Sequence, residues 1–228
     1  MIKRGVYAAT LSVLDENSSL NIEETIAHAE KIINEGLHGV FFFGSTGQSQ
    51  LISMAEKKEL VSRLPLSKLK NNFFLGTGFN SLNDNLEFIK YSMEYDFKTF
   101  LIMPPAYYKG NTDEGVFDFY SKLIKALPKI KIILYNFEKL SSFLFKPEFI
   151  KKLASDFSNI IGVKDSSYNL YENLKIPNFL IFPGSEAKLL KGLEVGCSGT
   201  ISAITQITHS LARKVFDDFE KKEKQTQN

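Results

Sequence analysis

Cysteine and histidine are scarce in this chain of 228 residues, which contains one Cys and three His. The single Cys197 excludes an internal disulfide framework and is typical of a reducing compartment. The histidines and the cysteine do not occur at metal-ligand spacing, so we predict no metal site. Long apolar runs are absent too, and nothing approaches the roughly 18 apolar residues that a membrane span needs.

An excess of charge of either sign is also lacking, since the formal net charge is +2. Such a balance gives no argument for a nucleic-acid or membrane partner. Residues 1–5 lead into a strand-like run without the apolar segment of a signal peptide. We therefore expect a cytoplasmic protein that acts on small molecules, with no nucleic acid and no membrane as partner.

Short apolar runs alternate with amphipathic stretches along the whole chain. The runs are too brief for helices and rich in β-branched or aromatic residues, which is typical of buried parallel strands. They predict strands over residues 6–13, 39–43, 73–77, 99–103, 130–135, 160–164, 179–182 and 200–202. The stretches between them predict helices, among them 81–94, 113–126, 168–174, 186–195 and 209–222. Residues 221–228 form a charged end that we expect to fray.

Capping residues mark the starts of three further helices. Asn21 and Glu24 form one predicted capping box, and Ser53 and Glu56 form another. Pro147 is well suited to be the first residue of a helix. Eight strands, each followed by a helix, predict an α/β fold of the (β/α)8 TIM barrel type, with residues 1–228 as a single domain. A doubly wound open sheet is the alternative, although its glycine fingerprint is missing after the first strand.

A lysine stands where the sixth predicted strand ends. Lys164 follows a short apolar run, where its amine is poorly solvated, and a neutral amine can attack a ketone to form a Schiff base. A lone lysine in such a place usually extends into solvent, so the prediction depends on its neighbours. In a barrel, the carboxyl ends of the strands meet on one face, which would bring Ser45, Tyr108 and Tyr135 near Lys164.

Four motifs, in order, resemble one family. The chain is similar, nearly end to end, to the dihydrodipicolinate synthase/N-acetylneuraminate lyase superfamily of pyruvate-dependent class I aldolases. The motifs are Gly44-Ser45-Thr46-Gly47-Gln48-Ser49, Leu134-Tyr135-Asn136, Gly162-Val163-Lys164-Asp165-Ser166-Ser167 and Pro183-Gly184-Ser185-Glu186.

The resemblance implies roles for the matching residues. Lys164 would form an imine with pyruvate or another 2-keto acid, and Tyr135 would be the general acid/base. Ser45 and Thr46 would hold the substrate carboxylate, with Ser45 also relaying protons. Tyr108 would complete that relay in the site of a neighbouring subunit. Further substrate contacts are implied at Gly47, Ser166, Gly184 and Ile201. The resemblance also implies that no metal and no cofactor takes part, and that the chain forms a homodimer or homotetramer.

Departures from the family pattern concern the second substrate. Leu140 stands where dihydrodipicolinate synthases carry an Arg that binds the carboxylate of their aldehyde substrate, and Glu138 replaces a common proline. Leucine cannot make that bidentate contact. We therefore expect hydroxylated aldehydes as substrates, contacted by Ser141, Ser142 and Ser166. Lys139 could substitute for the missing Arg as a point charge.

Three functions remain open from the sequence. The first is a lyase that joins pyruvate to an aldehyde, or cleaves the corresponding 2-keto-3-deoxy acid. The second is the dihydrodipicolinate synthase of lysine biosynthesis. The third is a non-catalytic barrel that binds a keto acid or acts as a structural partner, because the chain lacks most of the helical region that usually follows the barrel in this family.

Overall fold

Parallel pairing of neighbouring strands organises the fold. The computed structural model describes residues 2–223. Its strands are β1 Gly5–Ala9, β2 Gly39–Phe42, β3 Phe73–Gly76, β4 Thr99–Ile102, β5 Lys131–Asn136, β6 Ile160–Asp165, β7 Leu180–Pro183 and β8 Gly199–Ser202. The α-helices are α1 Ile22–Asn34, α2 Met54–Arg63, α3 Leu82–Glu94, α4 Asp113–Ala126, α5 Glu138–Ser141, α6 Pro147–Asp156, α7 Leu189–Glu194 and α8 Thr205–Lys221. Short 3-10 turns occupy Leu64–Leu66, Lys70–Asn72 and Glu186–Lys188.

The sheet closes on itself. Each strand pairs in parallel with the next from β1 to β7, and β1 also pairs with β8. The remaining seam is bridged by Ser198 N–H, which donates to Ile181 O at 2.8 Å, and by Thr200 Oγ1, which donates to Pro183 O at 2.7 Å. The (β/α)8 barrel prediction is confirmed, and the open sheet is excluded.

None of the helices in residues 2–223 has the length and apolar character that a membrane span requires.

The strands are apolar on both faces because both faces are buried. One set of side chains packs outward against the helices, and a second set fills the barrel interior. This double burial explains the continuous apolar runs of the sequence. The interior set includes Tyr7, Phe41, Phe74, Ile133, Tyr135, Phe182 and Ile201.

A β-bulge in β6 decides which way Lys164 points. Ile132 pairs with Ile160, but the next pair is Ile133 with Gly162, so Ile161 is the extra residue. Ile160 packs outward, and strict alternation from it would turn Lys164 outward as well. The bulge reverses that alternation. Gly162 is required there, since a Cβ atom would lie 2.5 Å from the Leu180 carbonyl oxygen.

Helix starts follow the predicted caps in most places. Ser53 and Glu56 form the complete capping box of α2, and Pro147 is the first residue of α6. At α1 the prediction is half right: Asn21 accepts from the Glu24 N–H, but its own N–H donates to Val13 O instead of to Glu24.

Most predicted boundaries lie within one or two residues of the structure, the helix predicted over 186–195 begins as the 3-10 turn Glu186–Lys188 before α7, and three predictions differ more. β1 ends at Ala9 rather than at residue 13, and the Leu11 N–H donates to the Gln206 side chain instead of to a neighbouring strand. α8 starts at Thr205, four residues early, and has a non-helical residue at Thr208. The helix predicted over 168–174 is wrong, since that segment forms turns. Of the end that was expected to fray, residues 221–223 are described, with Lys221 closing α8, and residues 224–228 lie outside the described part.

Candidate active site

Lys164 and Tyr135 lie side by side at the carboxyl end of the barrel. They pair in register on β6 and β5, and the Lys164 Nζ lies 4.4 Å from the centre of the Tyr135 ring. Both are buried, with exposed fractions of 3% and 5%. The Tyr135 Oη is 2.9 Å from the Ser45 Oγ, within hydrogen-bonding distance. The structure thus brings an amine over the ring of a phenol whose hydroxyl is hydrogen-bonded to Ser45, so that a proton can pass between the two hydroxyls.

The turn that carries Ser45 follows β2. It lies between two left-handed residues, Phe43 and Gln48, whose φ angles are 57° and 50°. Thr46 lines the same cavity as Lys164. Gly47 does not line the cavity, and its carbonyl accepts from the Ser12 Oγ at 2.7 Å. The turn therefore presents two hydroxyls to the cavity, and its backbone is anchored by the Ser12 hydroxyl.

Ser166 and Gly184 form another part of the cavity wall. Ser166 follows β6 and Gly184 follows β7, and both line the cavity. A Cβ atom at position 184 would overlap the present position of the Ser166 Oγ, so glycine lets the two residues pack closely. The Gly184 N–H donates to the Asp165 carbonyl at 2.8 Å, which holds the two strand ends together.

Asp165 organises the loop after Lys164, and sequence reasoning did not identify it. Its carboxylate accepts from the backbone N–H groups of Tyr168, Leu170 and Tyr171 at 2.9–3.0 Å, and from Asn136 Nδ2 at 2.8 Å. These bonds fix the loop that carries Ser166.

One cavity of about 490 Å³ contains these groups. Six of the predicted site residues line it: Lys164, Tyr135, Ser45, Thr46, Ser166 and Gly184. Its other lining residues are Phe137, Glu138, Lys139, Ser167, Tyr168 and Ala203. Ile201 lies below the cavity, fully buried among the interior side chains, and does not line it. A larger groove of about 560 Å³ between α1 and α2 is remote from this chemistry.

Glu138 and Lys139, rather than Leu140, reach the site cavity. Leu140 lines a second, more apolar cavity of about 410 Å³ that shares Ser45 and Tyr135 with the first. The expected contact of Ser141 with the substrate is wrong, because its buried hydroxyl donates to the backbone carbonyls of Phe137 and Phe143. Ser142 is exposed and lines neither cavity.

Tyr108 is not part of the cavity within this chain. It is 80% exposed and packs edge-to-face against Tyr107, which is 82% exposed and lines the second cavity. A role for Tyr108 would therefore require a second subunit, and it stays a prediction.

Two titratable groups near the cavities are shifted by their surroundings. Partial burial raises the pKa of the Tyr168 hydroxyl, and a hydrogen bond to Ser185 opposes that shift. Burial lowers the pKa of Lys57 on α2 to about 7, against an opposing attraction from Asp84. Within residues 2–223, no three His, Cys, Asp or Glu side chains are grouped so as to hold a metal ion.

The family model described as "Dihydrodipicolinate synthetase family" matches residues 3–227. The chain belongs to the dihydrodipicolinate synthetase family. Its curated relatives include a 2-dehydro-3-deoxy-D-gluconate/2-dehydro-3-deoxy-phosphogluconate aldolase of Picrophilus torridus, 26% identical over 89% of this chain and 77% of the relative. A 4-hydroxy-tetrahydrodipicolinate synthase of Prochlorococcus marinus is 25% identical over 96% of this chain and 74% of the relative.

Solved structures of the dihydrodipicolinate synthetase family share the fold. The 2-keto 3-deoxygluconate aldolase from Picrophilus torridus superposes with a TM-score of 0.85 at 25% identity, covering 96% of this chain and 80% of that one. The predicted superfamily and the prediction of an enzyme of the lyase class are confirmed by these findings. The relatives carry both aldolase and synthase names, so the family alone does not determine the reaction.

Proposed function

We propose that this protein is a class I aldolase of pyruvate, which forms a Schiff base through Lys164. The observation that carries the proposal is the buried Lys164 amine beside the Tyr135–Ser45 hydrogen bond in one cavity. A buried amine next to a general acid/base is the arrangement that imine chemistry needs.

The proposed reaction uses these groups in sequence. The hydroxyls of Ser45 and Thr46 hold the pyruvate carboxylate and orient its ketone toward Lys164. The amine adds to the ketone carbon, and water leaves as the protonated imine forms. That imine draws electrons from the neighbouring carbon, which loses a proton to the Tyr135–Ser45 pair and becomes an enamine carbon. The enamine carbon adds to the aldehyde carbon, and the resulting alkoxide takes the proton back from the Tyr135–Ser45 pair. Water then hydrolyses the imine, which releases the product and frees Lys164; the reverse steps cleave a 2-keto acid.

The rest of the cavity suits a hydroxylated aldehyde. Ser166, Ser167 and Tyr168 line it with hydroxyl groups, while Glu138 adds a carboxylate and Lys139 an ammonium. A hydroxylated chain can pair with all of these groups. An aldehyde that carries its own carboxylate would meet repulsion from Glu138, and attraction from Lys139 alone. We therefore propose that the enzyme forms or cleaves a 2-keto-3-deoxy sugar acid.

Reduction with borohydride in the presence of pyruvate is expected to attach a pyruvyl-derived adduct to Lys164 alone. Peptide mass spectrometry locates the adduct. Lys139→Ala is the matched control, because Lys139 is the other lysine that lines the cavity, and it should label like the native protein. Labelling that persists in Lys164→Ala would assign the nucleophile elsewhere. An unlabelled native protein would favour the non-catalytic keto-acid-binding barrel.

The second candidate function is 4-hydroxy-tetrahydrodipicolinate synthase, which the name of the Prochlorococcus relative favours. With Leu140 outside the site cavity, the aldehyde's carboxylate lacks a bidentate partner. A hydrogen bond to a charged group is worth about 1.5–3 kcal/mol, or roughly tenfold to more than a hundredfold in binding.

We therefore expect kcat/KM for aspartate semialdehyde to be lower than that for hydroxylated aldehydes by about that factor. Lys139→Ala provides the control, since Lys139 is the cation that could replace the Arg. Efficient turnover of aspartate semialdehyde by the native protein that is lost in Lys139→Ala would restore the synthase function.

Assembly and location are part of the same proposal. A homodimer or homotetramer is supported by the exposed pair Tyr107 and Tyr108 beside the second cavity. The cytoplasmic location stays a prediction from composition.

A further inference from the structure

Lys57 is a fully buried lysine that the proposed reaction does not use. It lies on the inner face of α2, where Leu60, Val61 and Leu64 follow at helical spacing. Its exposed fraction is 0%. An ammonium taken out of water needs compensating contacts, so its surroundings should indicate what it does.

The Lys57 ammonium contacts the end of β3. Nζ donates to the Thr77 carbonyl at 3.0 Å and lies 3.7 Å from the centre of the Phe79 ring, with the Phe43 ring 5.6 Å away. A desolvated cation over an aromatic face is among the stronger contacts of this kind. The amine therefore fixes the Thr77–Phe79 turn through its backbone and through its aromatic ring.

Charged neighbours do little to compensate the ammonium. On α2, Lys58 pairs with Glu87 of α3 at 2.5 Å, and the Glu56 carboxylate caps the start of the helix. Asp84, in the first turn of α3, is the charged group that acts on Lys57, and it raises the pKa. Burial has the larger effect and lowers the pKa to about 7.

The Thr77–Phe79 turn packs against the second turn, the one that carries Ser45. A side chain at Gly78, whose φ is 64°, would overlap Ser49, so the two turns pack closely. The Gln50 Nε2 donates to the Gly78 carbonyl at 2.5 Å. Within the second turn, the Ser49 N–H donates to the Gly44 carbonyl at 3.4 Å. The contacts are thus continuous from Lys57 to Ser45.

Packing alone does not account for this amine. Methionine has a similar unbranched stem and would fill the space without burying a charge. A buried titratable group that costs stability and lies next to a candidate active site is a functional candidate.

We propose that Lys57 is a positioning residue, whose ammonium holds the Thr77–Phe79 turn and thereby the Ser45 hydroxyl against Tyr135. The proposal rests on the proposed function. When Lys57 loses its proton, the attraction to the Phe79 ring is lost and the hydrogen bond to Thr77 weakens. The Ser45 turn then loosens, and proton transfer at the pyruvate enamine slows while Lys164 still forms the imine.

The experiment compares the native protein with Lys57→Met and with Lys58→Met, the same change at the next residue, which is half-buried and paired with Glu87. Lysine labelled with ¹³C at Cε gives the Lys57 titration by NMR, with an expected midpoint near pH 7. The amide resonances of Gly44 and Ser45 should follow that midpoint in the native protein and in Lys58→Met, but not in Lys57→Met. This readout does not depend on activity.

Exchange of the pyruvate methyl protons with D₂O gives the functional readout without an aldehyde. The exchange rate is divided by the amount of imine that borohydride traps at the same pH. We expect this ratio to fall as the pH rises through the Lys57 midpoint. In Lys57→Met it should be about tenfold or more lower at pH 6 and should lose that pH dependence, because small misplacements in a site are costly. Lys57→Gln, which keeps a donor for Thr77, replaces Lys57→Met if the latter does not fold.

The outcomes separate the two proposals. Absence of a trapped imine in the native protein contradicts the proposed function, while the amide titration of Gly44 and Ser45 still tests the link to Lys57. A trapped imine together with identical exchange profiles in the native protein and Lys57→Met overturns the positioning role and leaves the aldolase proposal intact. The positioning role is also overturned if the amide resonances of Gly44 and Ser45 do not shift as Lys57 titrates.

Discussion

Replacing Tyr135 by phenylalanine is expected to slow turnover by about 100-fold or more, the usual scale for the loss of a general acid/base. The trapped imine at Lys164 should persist. The substitution removes the hydroxyl that lies 2.9 Å from Ser45 Oγ and keeps the ring that packs beside the Lys164 amine. Imine formation and later proton transfer are thereby separated within one variant.

The measurement pairs borohydride trapping with the rate of pyruvate methyl-proton exchange. Tyr7→Phe is the matched control, because the Tyr7 hydroxyl is also in the barrel interior but bonds the Lys3 backbone instead of the site. Its exchange rate should equal that of the native protein. Near-native exchange in Tyr135→Phe would reduce Tyr135 to an aromatic residue at the rim. Loss of trapping would mean that the phenol is needed earlier, for imine formation itself.

The barrel could be predicted because one signal recurs along the chain. Each strand is buried on both faces, so runs such as Gly39–Phe42 are continuously apolar, and amphipathic helices separate them. The fold then requires the strand ends to share one face, which brings Ser45, Tyr135 and Lys164 together from distant parts of the sequence.

Apolar spacing predicts a helix over 168–174, but the segment forms turns around the Asp165 carboxylate, which binds three of its N–H groups. The Asn21 capping box failed in part for a similar reason, since the backbone of Val13 binds the N–H that Glu24 would have taken. Apolar spacing and capping-box patterns do not identify such competing acceptors.

The direction of Lys164 could not be predicted from alternation either. The β6 bulge reverses which side chains of the strand point into the barrel. In the sequence, Gly162 is the only residue of the strand that indicates a bulge. Lys57 did leave a readable signal: it stands three, four and seven residues before Leu60, Val61 and Leu64, on the apolar face of a predicted helix.

The buried Lys57 should also make the stability of the protein depend on pH. In the unfolded chain, a lysine has its ordinary pKa of 10.5, whereas burial lowers the pKa in the folded state to about 7. Between these values the unfolded state binds the proton and the folded state does not. Stability must therefore rise with pH in this window, and the full cost of the buried ammonium is present below pH 7.

Because Lys57→Met removes this titration, its stability relative to the native protein should change with pH. One pKa unit corresponds to about 1.4 kcal/mol, so between pH 6 and 9.5 the native protein should gain about 3 kcal/mol that the variant does not. Urea unfolding at the two pH values measures the difference, and other titrating groups cancel in the comparison. Lys58→Met, which removes a lysine paired on the surface, should show almost no such change. A pH-independent difference between Lys57→Met and the native protein would mean that Lys57 keeps an ordinary pKa when folded, and that water or Asp84 compensates its charge.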